Sequence, residues 1–369
     1  MHNYKTILGI ETSCDETAAA VLKRDEKGIR VLSNVVASSS ELQATFGGVI
    51  PEQAAREQLK AIIPVIETAI KDSGLTIDEI DAIAVTYGPG LIGSLLIGVE
   101  TAKTLALIWK KPLIPVNHLL GHFSANWINQ GQGNGIKYYG EERMDSKPLN
   151  TYPLIQVPAF PCIGLLVSGG HTDLVLFKDH MNYEYLGGTR DDAAGECFDK
   201  CARLMNLPYP GGPEISRLAK TGDSSKIKLP KPMINSGDFD FSFSGLKTAV
   251  ANFVHSSGFM VGGEFKKSAT NDELRTNLAA SIEQTIIDVL IKKTIGAADK
   301  HQISEIMVAG GVAANANLSA GLRRFPHVIV RNPQKNFCTD NGAMIAAAGF
   351  FTNEIEDIIE LQANPNLSL

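Results

Sequence analysis

The chain predicts a two-lobed α/β protein, and three observations carry that prediction. It has 369 residues, more than one core of ordinary size takes up at roughly 150 residues per domain. Apolar runs of strand length alternate with longer stretches of helical spacing, the pattern of a layered α/β sheet. Two strand-turn-strand hairpins with small, hydroxyl-bearing tips stand at comparable places in the two halves.

Taken in order, Thr6 to Ile10 reads as a buried strand, followed by the polar turn Glu11 to Thr17 and a second strand from Ala18 to Lys23. A helix is predicted from about Pro51 to Lys71, where apolar residues recur three and four apart. Asp81 to Thr86 reads as a strand ending in Tyr87-Gly88-Pro89-Gly90, after which Leu91 to Trp109 has helical spacing. Between about 129 and 160 the pattern breaks down into Asn, Gln, Gly, Tyr, Pro and charged residues, read as a long surface excursion. Order returns with the strand Cys162 to Val167, the turn Ser168-Gly169-Gly170-His171-Thr172 and the strand Asp173 to Phe177. A third glycine turn, Ala309 to Asn315, follows the strand Glu305 to Val308 and precedes a helix. These elements divide the chain into lobe I, residues 1–117 and 331–369, and lobe II, residues 118–330, with an irregular insertion at about 129–160.

Composition fits a soluble globular protein: 44% hydrophobic, 20% charged, and no apolar run near the roughly 18 to 20 residues of a membrane span. The N-terminus passes straight into a strand without a signal-peptide pattern, so the expected location is the cytoplasm. Five scattered cysteines form no CxxC pair and read as free thiols; Cys197 and Cys201 are spaced to share a buried helix face. Net charge is 34 − 40 = −6, so an RNA partner would need a local basic strip. Arg217, Lys220, Lys226, Lys228 and Lys231 are a candidate for one, the plainer reading being a solvated lysine-rich loop.

Two patterns carry chemistry. In Pro115-Val116-Asn117-His118-Leu119-Leu120-Gly121-His122 a spacing of four puts both imidazoles on one face of a helix, close enough to share a cation. Two half-buried or solvated histidines explain the spacing equally simply. The glycine turns let backbone N–H groups approach an anion without a Cβ in the way, so Ser168-Gly169-Gly170 could cradle a phosphate and Gly310-Gly311 could face a nucleotide. Any one of them alone is as well explained as a tight turn.

The layout of two hairpin-led halves with a late Gly-Gly turn resembles the actin, Hsp70 and sugar-kinase superfamily (ASKHA), with its duplicated RNase H-like core and a nucleotide between two lobes. Exact words narrow this. Gly9-Ile10-Glu11-Thr12-Ser13-Cys14-Asp15-Glu16-Thr17, Tyr87-Gly88-Pro89-Gly90-Leu91, Leu166-Val167-Ser168-Gly169-Gly170-His171-Thr172, Tyr209-Pro210-Gly211-Gly212-Pro213, Phe241-Ser242-Phe243-Ser244-Gly245-Leu246-Lys247-Thr248 and Cys338-Thr339-Asp340-Asn341-Gly342-Ala343-Met344 resemble the TsaD family, once labelled glycoproteases. The resemblance runs in order from residue 6 to about 350.

It implies a metal ion held by His118, His122 and Asp340, with Fe2+ expected and Zn2+ the alternative. The plainer role for Asp340 is to cap the helix Ala343 to Gly349. It implies adenine-nucleotide contacts (threonylcarbamoyl-AMP, AMP or ATP) at Leu166, Val167, Ser168, Gly169, Gly170, Asp199, Gly212 and Asn315. For Asp199 the competing reading is an ion pair with Lys200 or Arg203. Asp15 and then Glu16 stand where related kinases place a catalytic acid; turn acids are otherwise commonly only solvated. The chain departs from the pattern at Leu120, where many relatives carry glutamate, and at Ala313 and Ala316.

The reaction implied is transfer of threonylcarbamoyl from threonylcarbamoyl-AMP to N6 of adenosine 37 in tRNAs reading codons that begin with A. The implied partners are a tRNA anticodon loop, TsaB-like and TsaE-like subunits and an upstream TsaC-like enzyme, with no membrane. A metalloprotease is disfavoured because Leu119 stands where the HExxH motif has its glutamate. A sugar or acid kinase would not need the histidines, and a non-catalytic scaffold would not need the ligand set.

Overall fold

The computed structural model describes residues 4–39, 43, 50–128, 137–139, 157–258, 260–261, 264–265 and 268–369. The chain forms two compact units, residues 1–158 with 333–369, and residues 159–332.

In the first unit, β1 (Thr6–Glu11), β2 (Glu16–Asp25) and β3 (Gly28–Ser38) make an antiparallel meander. Helix α1 (Pro51–Ser73) follows, with proline at its start and Gly74 at φ 72° ending it in the left-handed conformation that glycine adopts without a Cβ penalty. β4 (Ala82–Gly88), α2 (Ile92–Trp109) and β5 (Leu113–Asn117) then repeat a parallel crossover, and α3 (His118–Ser124) starts directly where β5 stops. With β6 (Lys137–Tyr138) the sheet order is β5-β4-β1-β2-β3-β6. Every residue of β1 is buried because the strand is central and covered on both faces, which is why Ile7 to Ile10 reads as an apolar run, with the buried Glu11 ending it.

Helix α2 corrects one expectation: by length and composition it is apolar enough to cross a membrane. Its Val99, Ala102 and Ala106 pack into the core with Ile83 and Val85 of β4, while Ile92, Leu96, Leu107 and Ile108 are exposed.

The second unit repeats the plan. Strands β7 (Cys162–Val167), β8 (Thr172–Phe177) and β9 (Tyr183–Gly188) form the meander. Helices α4 (Ala194–Leu204), α5 (Gly211–Ala219) and α6 (Ser244–Ser257) follow, then the short pair β10 (Met260–Val261) and β11 (Glu264–Phe265). The 33-residue α7 (Ala269–His301) leads to β12 (Glu305–Ala309), α8 (Ala316–Leu322) and β13 (Ile329–Arg331). The sheet order is β13-β12-β7-β8-β9, with β12 parallel to β7.

The chain then returns to the first unit through α9 (Gly342–Gly349), all of whose residues are buried against β1, β2 and α3. A Cβ on Gly342 would stand 2.5 Å from the backbone nitrogen of Ala20, so only glycine lets the helix start this close to the sheet.

The predicted lobe boundary at 117/118 moves. Residues 118–158 belong to the first unit, because α3 packs on α9 and β6 pairs with β3 through Val35 and Lys137; the second boundary falls at 332/333. Within the expected insertion at 129–160, residues 137–138 are strand; 129–136 and 140–156 lie outside the described residues. The strands β3 and β9 and the helix α7 were not foreseen: β3 alternates buried and half-buried residues only in its first half, and α7 carries too mixed a composition to show one stripe.

Candidate metal centre

Parallel β1, β4 and β5 bring their carboxyl ends together, and with them Glu11, Thr86 and the start of α3. Asn117 caps α3 by accepting from the Leu119 N–H at 2.8 Å, which fixes the helical register of the two histidines. The rings of His118 and His122 lie 4.7 Å apart at 75°. Across from them, Asp340 precedes α9. Its Oδ1 is 3.3 Å from His122 Nε2 and 3.7 Å from His118 Nε2. The cap of α9 is Asn341, whose side chain accepts from the Met344 N–H at 3.0 Å, so the capping role considered for Asp340 belongs to its neighbour.

One ligand atom from each of His118, His122 and Asp340 lies within 4.8 Å of the others. Those spacings suit a small divalent ion with bonds of about 2.0–2.2 Å to nitrogen and oxygen. They are too long for strong direct hydrogen bonds among the three. Nδ1 of His122 is buried without a hydrogen-bond partner, and the donor set of two imidazoles and a carboxylate matches open-sided metal sites. The residues fit a metal.

Behind His118, Nδ1 faces Glu11 Oε2 at 3.1 Å, and Ser13 Oγ lies 3.2 Å from the same nitrogen. Glu11 is fully buried and also accepts from the Ser13 N–H and the Thr86 hydroxyl. Burial pulls the His118 pKa down, but the charges of Glu11 and Asp340 outweigh it and carry it up to about 9.

The hairpin tip lies over this site. Gln58 of α1 donates to the carbonyls of Cys14 (3.0 Å) and Glu16 (2.8 Å), and Ser94 of α2 donates to Cys14 at 2.9 Å. Those bonds hold Asp15, which is buried, and Glu16, which is half-buried, beside Asp340. Burial, with the neighbouring Asp15 and Asp340 charges, pushes the Glu16 carboxyl well above the usual range. The same causes push the Cys14 thiol up, which makes it a poor nucleophile. Glu11, Gln58 and Thr86 were missed in the sequence; the one available signal was a carboxylate ending an otherwise apolar strand.

A family model described as TsaD: tRNA N6-adenosine threonylcarbamoyltransferase matches residues 30–136 and 149–347. A Bacillus cereus protein named tRNA N6-adenosine threonylcarbamoyltransferase is 44% identical over 375 residues, covering 100% of this chain and 98% of its own. The chain belongs to the TsaD family. A Symbiobacterium thermophilum protein of the same name is 44% identical over 368 residues, covering 98% of this chain and 96% of its own. Among solved structures, HypF of T. kodakarensis matches with a TM-score of 0.53 at 13% identity over 94% of this chain and 47% of its own, a likeness of fold alone. The α/β fold expected from the sequence, with one main sheet in each unit, stands.

The other residues expected from the TsaD resemblance lie in the second unit. Leu166 and Val167 end β7 and are buried; Ser168, Gly169 and Gly170 form a turn closed by the Ser168 N–H donating to the His171 carbonyl at 2.9 Å. Gly310 takes positive φ (88°), whereas Gly169 and Gly170 do not; what they leave is open space, since a Cβ on either would meet nothing within 4 Å. The start of α4 adjoins this turn through the Gly195 N–H on the Ser168 carbonyl at 3.1 Å.

Asp199 accepts from the Gly211 N–H at 2.7 Å, holding the start of α5; burial raises its carboxyl pKa against the lowering effect of the Gly211 and Gly212 N–H groups. Of the ion-pair partners considered as its plainer role, Lys200 bonds Asp192 (2.6 Å) and Glu196 (2.8 Å) instead, whereas the Arg203 charge does act on Asp199 and works to lower its pKa. Gly212 has only Phe198 Cβ near a hypothetical Cβ, at 3.8 Å. Asn315 caps α8 by accepting from the Asn317 and Leu318 N–H groups and donates to Ser216 Oγ (3.2 Å) and Glu283 Oε1 (2.7 Å). Its four hydrogen-bonding positions are thus all engaged within the unit. Cys197 and Cys201 are buried on one face of α4 with sulfurs 4.0 Å apart, as free thiols. In the basic strip, Arg217 pairs with Glu214 and Lys231 with Asp288, while Lys220, Lys226 and Lys228 are exposed.

Proposed function

We propose that this chain transfers the threonylcarbamoyl group from threonylcarbamoyl-AMP to N6 of adenosine 37 in tRNAs that read codons beginning with A, releasing AMP. The observation that carries the reading is the convergence of His118, His122 and Asp340 in a member of the TsaD family. A bond forms between N6 and the carbamoyl carbon, the bond from that carbon to the phosphate oxygen breaks, and a proton leaves N6. Asp15, held at the tip by Gln58, is the group assigned to orient the amine and take that proton, with Glu16 in support.

The three ligands are assigned Fe2+, with Zn2+ as the alternative; such an ion, when bound, neutralises charge and polarises the donor carbonyl. The N–H groups of the Ser168–Gly170 turn offer donors to the donor phosphate, and Asp199 accepts from ribose hydroxyls. Asn315 acts here by holding α5, α7 and α8 in register, since its amide is saturated. The acceptor adenosine is presented by an anticodon loop, where a base outside the stack costs little, and Lys220, Lys226 and Lys228 supply the basic contact. The reading includes work in the cytoplasm with TsaB-like and TsaE-like subunits, downstream of a TsaC-like enzyme that makes the donor.

The test is reconstitution with tRNA, threonine, bicarbonate, ATP and those companion enzymes, followed by nucleoside mass spectrometry. The modified nucleoside is expected, and its loss in His118→Ala; an unchanged yield in that variant overturns the metal role. Elemental analysis of anaerobically purified protein decides iron against zinc.

A further inference from the structure

Glu11 ends the central strand β1 with no exposed surface, a position where an ionised carboxylate is costly unless it is compensated. Its only ion-pair partner among the described residues is His118. Oε1 takes the Ser13 N–H; Oε2 takes the Thr86 hydroxyl and faces His118 Nδ1 at 3.1 Å. A carboxylate only accepts, so His118 must carry its proton on Nδ1. Ser13 Oγ, at 3.2 Å from the same nitrogen, is free to take either role and cannot set the tautomer by itself. With Nδ1 protonated, the neutral ring presents its lone pair at Nε2, the atom directed at Asp340. Thr86 and the Ser13 backbone in turn fix the carboxylate on the rigid ends of two neighbouring parallel strands.

We infer that Glu11 is a positioning residue for the metal: it holds the His118 ring in one orientation and one tautomer, with Nε2 as the ligand atom. The inference rests on the reading that His118, His122 and Asp340 hold a divalent ion. A hydrogen-bonded carboxylate behind a ligating imidazole raises the ligand's basicity, and loss of such a partner weakens metal binding about 10–100-fold.

The test uses the full chain stripped of metal, titrated with Zn2+ against a chromogenic chelator, in wild type, Glu11→Ala and Glu11→Gln. Glu11→Ala is expected to raise the zinc Kd about 10–100-fold, and Glu11→Gln less, because its amide oxygen still accepts from Nδ1. In 15N-histidine NMR of the metal-free protein at alkaline pH, where the ring is neutral, wild-type His118 is expected as a single Nδ1-protonated species, which Glu11→Ala turns into a mixture. A merely structural loss would not change that signature. Should Glu11→Ala fail to fold, Glu11→Leu, which keeps the bulk but has no acceptor, decides: wild-type affinity and an unaltered tautomer overturn the role. Wild-type protein that binds no zinc overturns the metal reading itself, whereas tight wild-type binding with unchanged variants overturns Glu11 alone.

Discussion

The two units use polar groups in opposite ways. In the first, the Asp340 carboxylate stands 3.3 Å from His122 Nε2 and 3.7 Å from His118 Nε2, and one ligand atom from each of the three converges on the others. In the second, the cluster around Glu283 closes on itself, Glu283 accepting from Ser216, Asn315 and Asn317, and Asp199 holds the start of α5. Converging ligand atoms at such spacings leave room for a further component, whereas a closed network holds its helices in register.

The sharpest break of this contrast is His122→Ala, which removes a ligand outright. Its zinc affinity should fall by more than the roughly 100-fold ceiling for an outer-shell change, with the modified nucleoside lost. Retention of metal in a chelator competition would place the ion elsewhere.

Next comes pH. The His118 pKa is raised from 6.5 to about 9, so the stabilisation it gives the metal-free fold is complete below about 6.5 and is lost as pH rises through 9. Metal-free protein should therefore lose stability across that window, by an amount on the order of a few kcal/mol that His118→Gln abolishes, as read by urea denaturation at several pH values. Zinc competes with the same proton, so its affinity should climb across the window in which the metal-free fold weakens.

A glycine pair sharpens the comparison at lower amplitude. Gly342→Val would drive a side chain into the Ala19 and Ala20 backbone, costing about 1–3 kcal/mol in denaturation and displacing Asp340, with weaker zinc binding as the companion readout. Changing Lys220, Lys226 and Lys228 together to glutamate should weaken tRNA binding and lower its salt slope by about one per phosphate contact removed, leaving metal content unchanged. Smallest of all on stability is Gly212→Ala, whose Cβ finds only an ordinary contact; denaturation should move by no more than about 1 kcal/mol while calorimetry reads weaker nucleotide binding.

What was legible in the chain follows the range of the interactions. The His118–His122 pair shows as a local spacing because one helical turn places both rings, and the glycine turns show because strands end there. Glu11 did not show: its local bond to the Ser13 N–H leaves no mark in the sequence, and its meaning depends on a histidine 107 residues away. The lobe boundary was misjudged for the same reason, since packing against α9, β4 and β5 assigns α3 to the first unit.

By itself the sequence determined the alternation of strands and helices, the family and the identities of the candidate ligands, because those are written in local periodicity and in short fixed words. The tertiary structure alone decided that Asn341 rather than Asp340 caps α9, that Gln58 holds the acid tip and that Glu11 backs His118. The last two are hydrogen bonds closed between segments far apart in the chain, and the cap, though only three residues long, is settled by how α9 is packed; all three geometries exist only once the parallel strand ends and the buried helix α9 have come together.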